Sequence, residues 1–326
     1  MKQVYATRLL LLGCLTLVNS VTFAQHHGSE NYPEQLKQLL VQLSREADQP
    51  LLKQHFTSVL LVMEDQAHGF PWDAQDTLWV KEALMFFQNE GARWETYSNG
   101  PRPLIMTFVS PSDGKTSFYW LFLPKNIQSD QKQPLYLELH GSGGGKNDNP
   151  RNMLFRALRP ELKGVTSQGY RKEGYFLYPW GRGDRWYQGQ AQKDILECLD
   201  HFDQIFQTDV NRQYLYGFSM GGAGVLSLAQ LTVERWSALG IYSGAFRDGV
   251  SAADAQNVSH LPVWITWGEE ESLAKGNKQL RDLLIAQEAE VKWQEVPGVG
   301  HSYLGNYQED LMDWFQNHTK SDKGSR

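Results

Sequence analysis

The sequence predicts an α/β protein: a mostly parallel central sheet of about eight strands with helices on both faces, and a helical extension before it. Three observations predict this. Strand-like and helix-like stretches alternate after residue 103. The alternation opens on a hairpin. A strand-to-helix junction carries Gly217-Phe218-Ser219-Met220-Gly221, in which glycines flank a serine at a sharp reversal of the chain.

The hairpin is Leu104–Val109 and Ser117–Leu123, joined by the turn Pro111-Ser112-Asp113-Gly114. Further strands are predicted at 135–139, 175–178, 213–218, 238–242, 263–267 and 291–296. Helices fit between them at 153–158, 193–206, 222–231, 277–289 and 308–316. Such alternation needs crossovers, so the strands run parallel and are covered on both faces. Upstream, residues 33–98 are mostly helical in pattern. Leu36, Leu39, Leu40 and Leu43 repeat at helical spacing, as do Leu78, Val80, Leu84 and Phe87 more roughly, and Gly69 and Pro71 divide the stretch. It reads as a collar or a lid.

The N-terminus has the pattern of an export signal. Lys2 and Arg8 supply the positive region, Leu9 to Val18 the apolar run, and Thr22-Phe23-Ala24 a small-residue cut site after Ala24. The run is too short for a stable membrane span. Leu11-Leu12-Gly13-Cys14 resembles a lipid-attachment box, but the short apolar core before Cys14 argues against it. The expected organisation is therefore signal peptide 1–24, helical extension 25–100, catalytic domain 101–320 and polar tail 321–326, with the protein secreted or periplasmic.

Composition excludes several classes. A formal net charge of −6 and no long Lys/Arg block leave no footprint for nucleic acid. Of two cysteines, Cys14 leaves with the signal, so the remaining chain has no internal disulfide. Cys198 shares a helical face with Ile195, Leu199, Phe202, Ile205 and Phe206 and reads as a small core residue. No His/Asp/Glu cluster has metal-ligand spacing, so neither metal nor organic cofactor is expected.

Four sites carry chemistry. The first is Ser219, where Gly217 and Gly221 remove the Cβ atoms that would crowd the reversal. The second is His140-Gly141-Ser142-Gly143-Gly144-Gly145-Lys146, directly after a strand. Its backbone N–H groups can approach a reacting atom closely, so the amides of Ser142 and Met220 are the expected oxyanion donors. A phosphate loop does not fit, because Lys146 is not followed by Ser or Thr. The third is Trp267-Gly268-Glu269-Glu270-Glu271 at a strand end, where Glu271 is the favoured carboxylate and Glu270 the fallback, with a solvated acidic turn as the reading of the other two glutamates. The fourth is Gly298-Val299-Gly300-His301-Ser302 after the last strand; His301 is the expected general base.

In chain order these sites run glycine loop, serine, carboxylate, histidine, which is the order of the α/β-hydrolase layout. Over residues 103–318 the chain resembles the α/β-hydrolase superfamily. Tyr178-Pro179-Trp180-Gly181-Arg182-Gly183-Asp184-Arg185-Trp186-Tyr187, with the serine motif, resembles secreted esterases grouped with polyhydroxybutyrate depolymerases and feruloyl or acetyl-xylan esterases, and equally prolyl-oligopeptidase-like proteins. The resemblance implies Ser219 as nucleophile, His301 as base and an acid after the seventh strand. Glu in place of the usual Asp is a departure. Asp184, Trp186 and Tyr187 are candidates to line the substrate pocket, with loop anchoring as the other reading.

The expected activity is ester hydrolysis through an acyl-enzyme, on a small-molecule or oligosaccharide ester. A prolyl-oligopeptidase-like peptidase is the alternative, although residues 25–100 are too short for a propeller. A non-catalytic binding protein on this scaffold should have lost a member of the Ser-Glu-His set, and none is lost.

Overall fold

The computed structural model describes residues 31–98, 101–125, 127, 132–159, 174–302 and 308–320. Eight strands form one sheet: β1 (Leu104–Val109), β2 (Thr116–Phe122), β3 (Gln133–Leu139), β4 (Tyr175–Pro179), β5 (Thr208–Phe218), β6 (Ala238–Tyr242), β7 (Val263–Gly268) and β8 (Val291–Val296). Their order is β1-β2-β4-β3-β5-β6-β7-β8. β1 pairs antiparallel with β2, and β2 antiparallel with β4; every other pairing is parallel. Every residue of β4, β6 and β7 is buried, as expected of central parallel strands covered on both faces.

Ten α-helices accompany the sheet in the described residues: α1 (Tyr32–Glu46), α2 (Pro50–Met63), α3 (Ala74–Asn89), α4 (Glu95–Ser98), α5 (Pro150–Leu158), α6 (Gln190–Ile205), α7 (Met220–Ala229), α8 (Ala252–Val258), α9 (Ala274–Ala286) and α10 (Gln308–Gln316). Pleat alternation shows the two-sided cover. Tyr136, Tyr214 and Tyr216 present their rings to Phe315 of α10. Leu139, one residue out of phase with Tyr136, meets α7 at Gly224.

The boundaries that differ from expectation have local causes. α5 starts at Pro150 because proline suits the first helical turn and the Asn149 side chain accepts from Arg151 N. α9 ends earlier than predicted: Ala286 is its last residue, and Glu288 adopts φ 56°, outside helical geometry. β5 begins at Thr208 rather than 213, and its register with β3 shifts between Gln133 and Leu135, so the polar stretch Asp209–Arg212 bulges out of the ladder.

The described residues from Tyr32 onward make up one compact unit. Leu36, Phe56, Val80 and Phe87 from the first three helices belong to the same core as the sheet. α2 packs on β1, β2 and α5, while α1 and α3 pack together. Leu78 faces solvent at 51% exposure, so it is not part of the buried stripe of α3. Ile205 is likewise 40% exposed, whereas Cys198, Ile195, Leu199, Phe202 and Phe206 are buried as expected.

α2 also closes an edge. β1 ends the sheet and would present unpaired N–H groups there. Ile105 N donates to His55 Nδ1 at 2.8 Å, and Thr107 N donates to Ser58 Oγ at 3.1 Å. Burial pushes the His55 imidazole down to about 3, so the ring is neutral near pH 7 and keeps the lone pair that accepts.

Candidate active site

Ser219 stands between β5 and α7 at φ 57° and ψ −116°, a backbone that a serine holds only where the surroundings enforce it. Ser219 N donates to Tyr242 O at 2.9 Å, and Ala245 N donates to Ser219 O at 2.9 Å, so β6 and the loop after it pin the residue from both ends. The flanking glycines are a steric requirement. A Cβ on Gly217 would lie 2.6 Å from the Gly221 backbone, and one on Gly221 would overlap the Leu139 carbonyl. The strained turn leaves the serine side chain partly exposed at the rim.

His301 Nε2 lies 2.9 Å from Ser219 Oγ, and His301 Nδ1 lies 3.0 Å from Glu271 Oε2. The imidazole stacks on Phe218 with ring centroids 5.0 Å apart and planes 17° from parallel, which sets its tilt. The Glu271 side chain is fully buried, while that of His301 is 35% exposed. A carboxylate out of water thus faces a ring open to a ligand.

The two loops that carry this pair brace each other. Glu270 N donates to Val299 O at 2.9 Å, and Gly298 N donates to Glu269 Oε2 at 3.0 Å. Of the three consecutive glutamates, Glu271 therefore meets the imidazole. Glu270 contributes its backbone, and Glu269, exposed as its sequence suggests, also holds the histidine loop through its side chain. Nothing in the sequence around Glu269 signals that bond.

The glycine loop follows β3. Gly141 is beside the serine, since a Cβ there would sit 3.5 Å from Ser219 Cβ. Buried His140 anchors the loop: Nδ1 lies 2.9 Å from Gly141 O and Nε2 lies 2.9 Å from Trp180 O. Burial lowers its pKa, so the neutral ring has one N–H to share between those two carbonyls. The Ser142 and Met220 amides donate to no other described residue.

The Dienelactone hydrolase family matches residues 180–324, from the end of β4 through α10. That match joins the eight-stranded topology and the strained serine turn. The chain has the α/β-hydrolase fold.

Solved structures of several hydrolases share this fold at low identity. A thermostable esterase superposes with a TM-score of 0.54 at 20% identity, over 67% of this chain and 63% of its own. This chain thus spans under two thirds of that esterase. The S-formylglutathione hydrolase of Agrobacterium tumefaciens gives 0.50 at 16% identity, over 66% of this chain and 94% of its own. FphF, a fluorophosphonate-binding serine hydrolase of Staphylococcus aureus, gives 0.50 at 16%, over 65% and 97%. No curated protein sequence matches the chain.

A cavity of about 670 Å³ lies near the serine turn, with neither Ser219 nor His301 in its wall. Ala223 and Ala245, whose amides donate to Ser219 O, are in its wall together with Trp186, Phe246 and Arg247. Trp186 is half-buried, and the Arg247 guanidinium lies 3.4 Å from its ring centroid. Tyr187 is a correction: it is 1% exposed, and its hydroxyl donates to His140 O at 3.0 Å. It anchors the glycine loop and is not in the wall of this cavity. Asp184 borders the cavity, but its carboxylate accepts from Gly143 N at 2.8 Å and Gly145 N at 2.6 Å, so loop anchoring is its observed contact. No residue of the N-terminal helices is in the wall of this cavity. Among the described residues no group of three or more His, Cys, Asp or Glu is arranged to hold a metal ion, and no helix is long and apolar enough to cross a membrane.

Proposed function

We propose that this chain is an exported serine esterase in which Ser219 is the nucleophile, His301 the general base and Glu271 the carboxylate partner of the imidazole. The observation that carries the proposal is the hydrogen-bonded series from Ser219 Oγ through both ring nitrogens of His301 to buried Glu271. Ser219 Oγ attacks the ester carbonyl carbon while its proton passes to His301 Nε2. Glu271 accepts from Nδ1–H, fixing the tautomer and stabilising the imidazolium. The carbonyl oxygen takes the negative charge between the Ser142 and Met220 amides. His301 then returns the proton to the departing alkoxide, leaving an acyl-serine. Water attacks the acyl carbon, giving its proton to His301, and the carboxylic acid leaves as Ser219 recovers its proton.

The substrate is a small ester outside the cytoplasm, such as an acylated carbohydrate. The export pattern at 1–24, which lies outside the described residues, supports the location; the aromatic wall of Trp186 and Phe246 supports a flat ring next to the ester. The test is a panel of acetyl, feruloyl and longer acyl esters of sugars and simple alcohols, each against the matching p-nitroanilide. Ester turnover that disappears in Ser219→Ala is the expected result. Anilide turnover exceeding ester turnover would make the chain a peptidase instead.

A further inference from the structure

Asp184 sits in the cavity wall, yet both of its carboxylate oxygens are committed to the glycine loop. Oδ1 accepts from Gly143 N at 2.8 Å and from Asn147 Nδ2 at 3.0 Å, and Oδ2 accepts from Gly145 N at 2.6 Å. Its own amide donates to Asp148 Oδ1 at 2.8 Å. Trp180 Nε1 adds a bond to Asn147 O at 2.7 Å, and a Cβ on Gly183 would come within 2.5 Å of the Asn147 carbonyl. The strand-end loop 180–187 and the glycine loop are thus stitched together along their length.

The amides of the glycine loop can be counted one by one. Gly143 and Gly145 donate to Asp184, Gly144 donates to Ser142 Oγ at 3.1 Å, and Lys146 donates to Gly143 O at 3.4 Å. From 142 to 146, Ser142 N–H alone has no acceptor among the described residues. Gly144 and Gly145 reach this conformation at φ 67° and 87°, in the left-handed region that glycine tolerates. Such a glycine run has several competing conformations. A carboxylate that takes alternate N–H groups selects one of them, as an anion does in a backbone nest.

We infer that Asp184 is the positioning residue of the oxyanion hole: by occupying the Gly143 and Gly145 amides it holds the loop in the one conformation that leaves Ser142 N–H free beside Ser219. The inference rests on the serine-esterase reading. Asp184 touches no reacting atom and acts only through the loop. Asparagine in its place keeps one accepting oxygen but turns an NH2 group toward a second amide donor, so half of the clamp becomes repulsive.

The test compares wild type, Asp184→Asn and Asp184→Ala on one ester, with active sites counted by fluorophosphonate titration so that only folded enzyme is scored. The inhibition constant of an alkyl trifluoromethyl ketone, whose adduct with serine carries a real oxyanion, is measured alongside. Removing one donor in such a hole typically lowers kcat by about 10²–10³. A loosened donor in Asp184→Asn should lower it ~10–100-fold, with KM changed less than about threefold and ketone affinity falling in step with kcat/KM. Should Asp184→Ala fail to fold, the isosteric asparagine variant still decides. Unchanged kcat, or a raised KM with kcat intact, or unchanged ketone affinity each overturns the inference. A wild-type enzyme that hydrolyses no ester overturns the esterase reading; an active wild type with an equally active Asp184→Asn overturns this inference alone.

Discussion

The sealed edge at β1 and the open rim at the end of β5 each turn on one imidazole, and the two rings live in opposite surroundings. His55 is fully enclosed, with the Tyr97 ring 4.7 Å away and the Phe56 and Phe87 rings within 6 Å. Among the described residues no acid shifts its titration, and burial keeps it neutral, so it serves as a fixed acceptor for Ile105 N. His301 is 35% exposed, with a buried carboxylate on one nitrogen and a serine hydroxyl on the other. Burial without a counter-charge makes an imidazole structural. Partial exposure between an acid and a hydroxyl makes it a place where a proton can move.

Exchanging the consequences of the two sites is the way to break this comparison. The largest effect is expected at the rim. Ser219→Ala or His301→Ala should each lower kcat by about 10⁴–10⁶-fold, while thermal unfolding stays within ~2 °C of wild type. His55→Ala should do the reverse, costing on the order of 2–4 kcal/mol through the cavity and the orphaned Ile105 amide while leaving kcat/KM of the folded enzyme unchanged. Loss of activity per folded molecule in His55→Ala would end the distinction.

The next effect sharpens the rim itself. Glu271→Gln should cost about 10³–10⁴ in kcat because the tautomer is no longer held. Glu270→Gln leaves its backbone bond to Val299 intact and should change kcat less than ~3-fold, about the spread of a surface change. Steady-state kinetics on the two variants decides between the neighbouring glutamates.

A third prediction concerns acid. The folded pKa of His55, about 3, is below its ordinary value of 6.5, so its contribution to stability is complete above about pH 6.5 and is lost as pH falls toward 3. The loss should reach on the order of 4 kcal/mol, and denaturant titrations of wild type against His55→Gln across that range should converge at low pH. The smallest effects belong to Leu78 and Ile205, which the sequence assigned to helical apolar faces. Both are exposed, and replacing either with lysine should shift stability by less than about 0.5 kcal/mol.

The alternating pattern made the fold legible. All eight strands were readable, seven from apolar runs and β8 from the alternation of Val291, Trp293 and polar residues, and α10 was readable to its end residues, because strands and an amphipathic terminal helix have strong periodic signals. The first part of β5 was not, since Asp209–Arg212 is polar and lies outside the regular ladder. At the site, residues whose backbone demands a special residue type were legible: the glycines around Ser219 and the loop after β3 announce close approach. Tyr187 and Asp184 were ambiguous for a physical reason. A tyrosine with an apolar body and a polar tip suits a core as well as a pocket, and an aspartate among glycines can clamp amides or meet a ligand. The partnership of His55 with β1 joins residues fifty positions apart and leaves no local pattern to read.

The central claim is most directly tested by locating the reactive serine. Wild-type protein treated with a fluorophosphonate should gain one adduct by intact mass, mapped by peptide sequencing to Ser219, with labelling lost in Ser219→Ala and slowed by orders of magnitude in His301→Ala. An adduct on another residue, or labelling that survives both substitutions, would contradict the account.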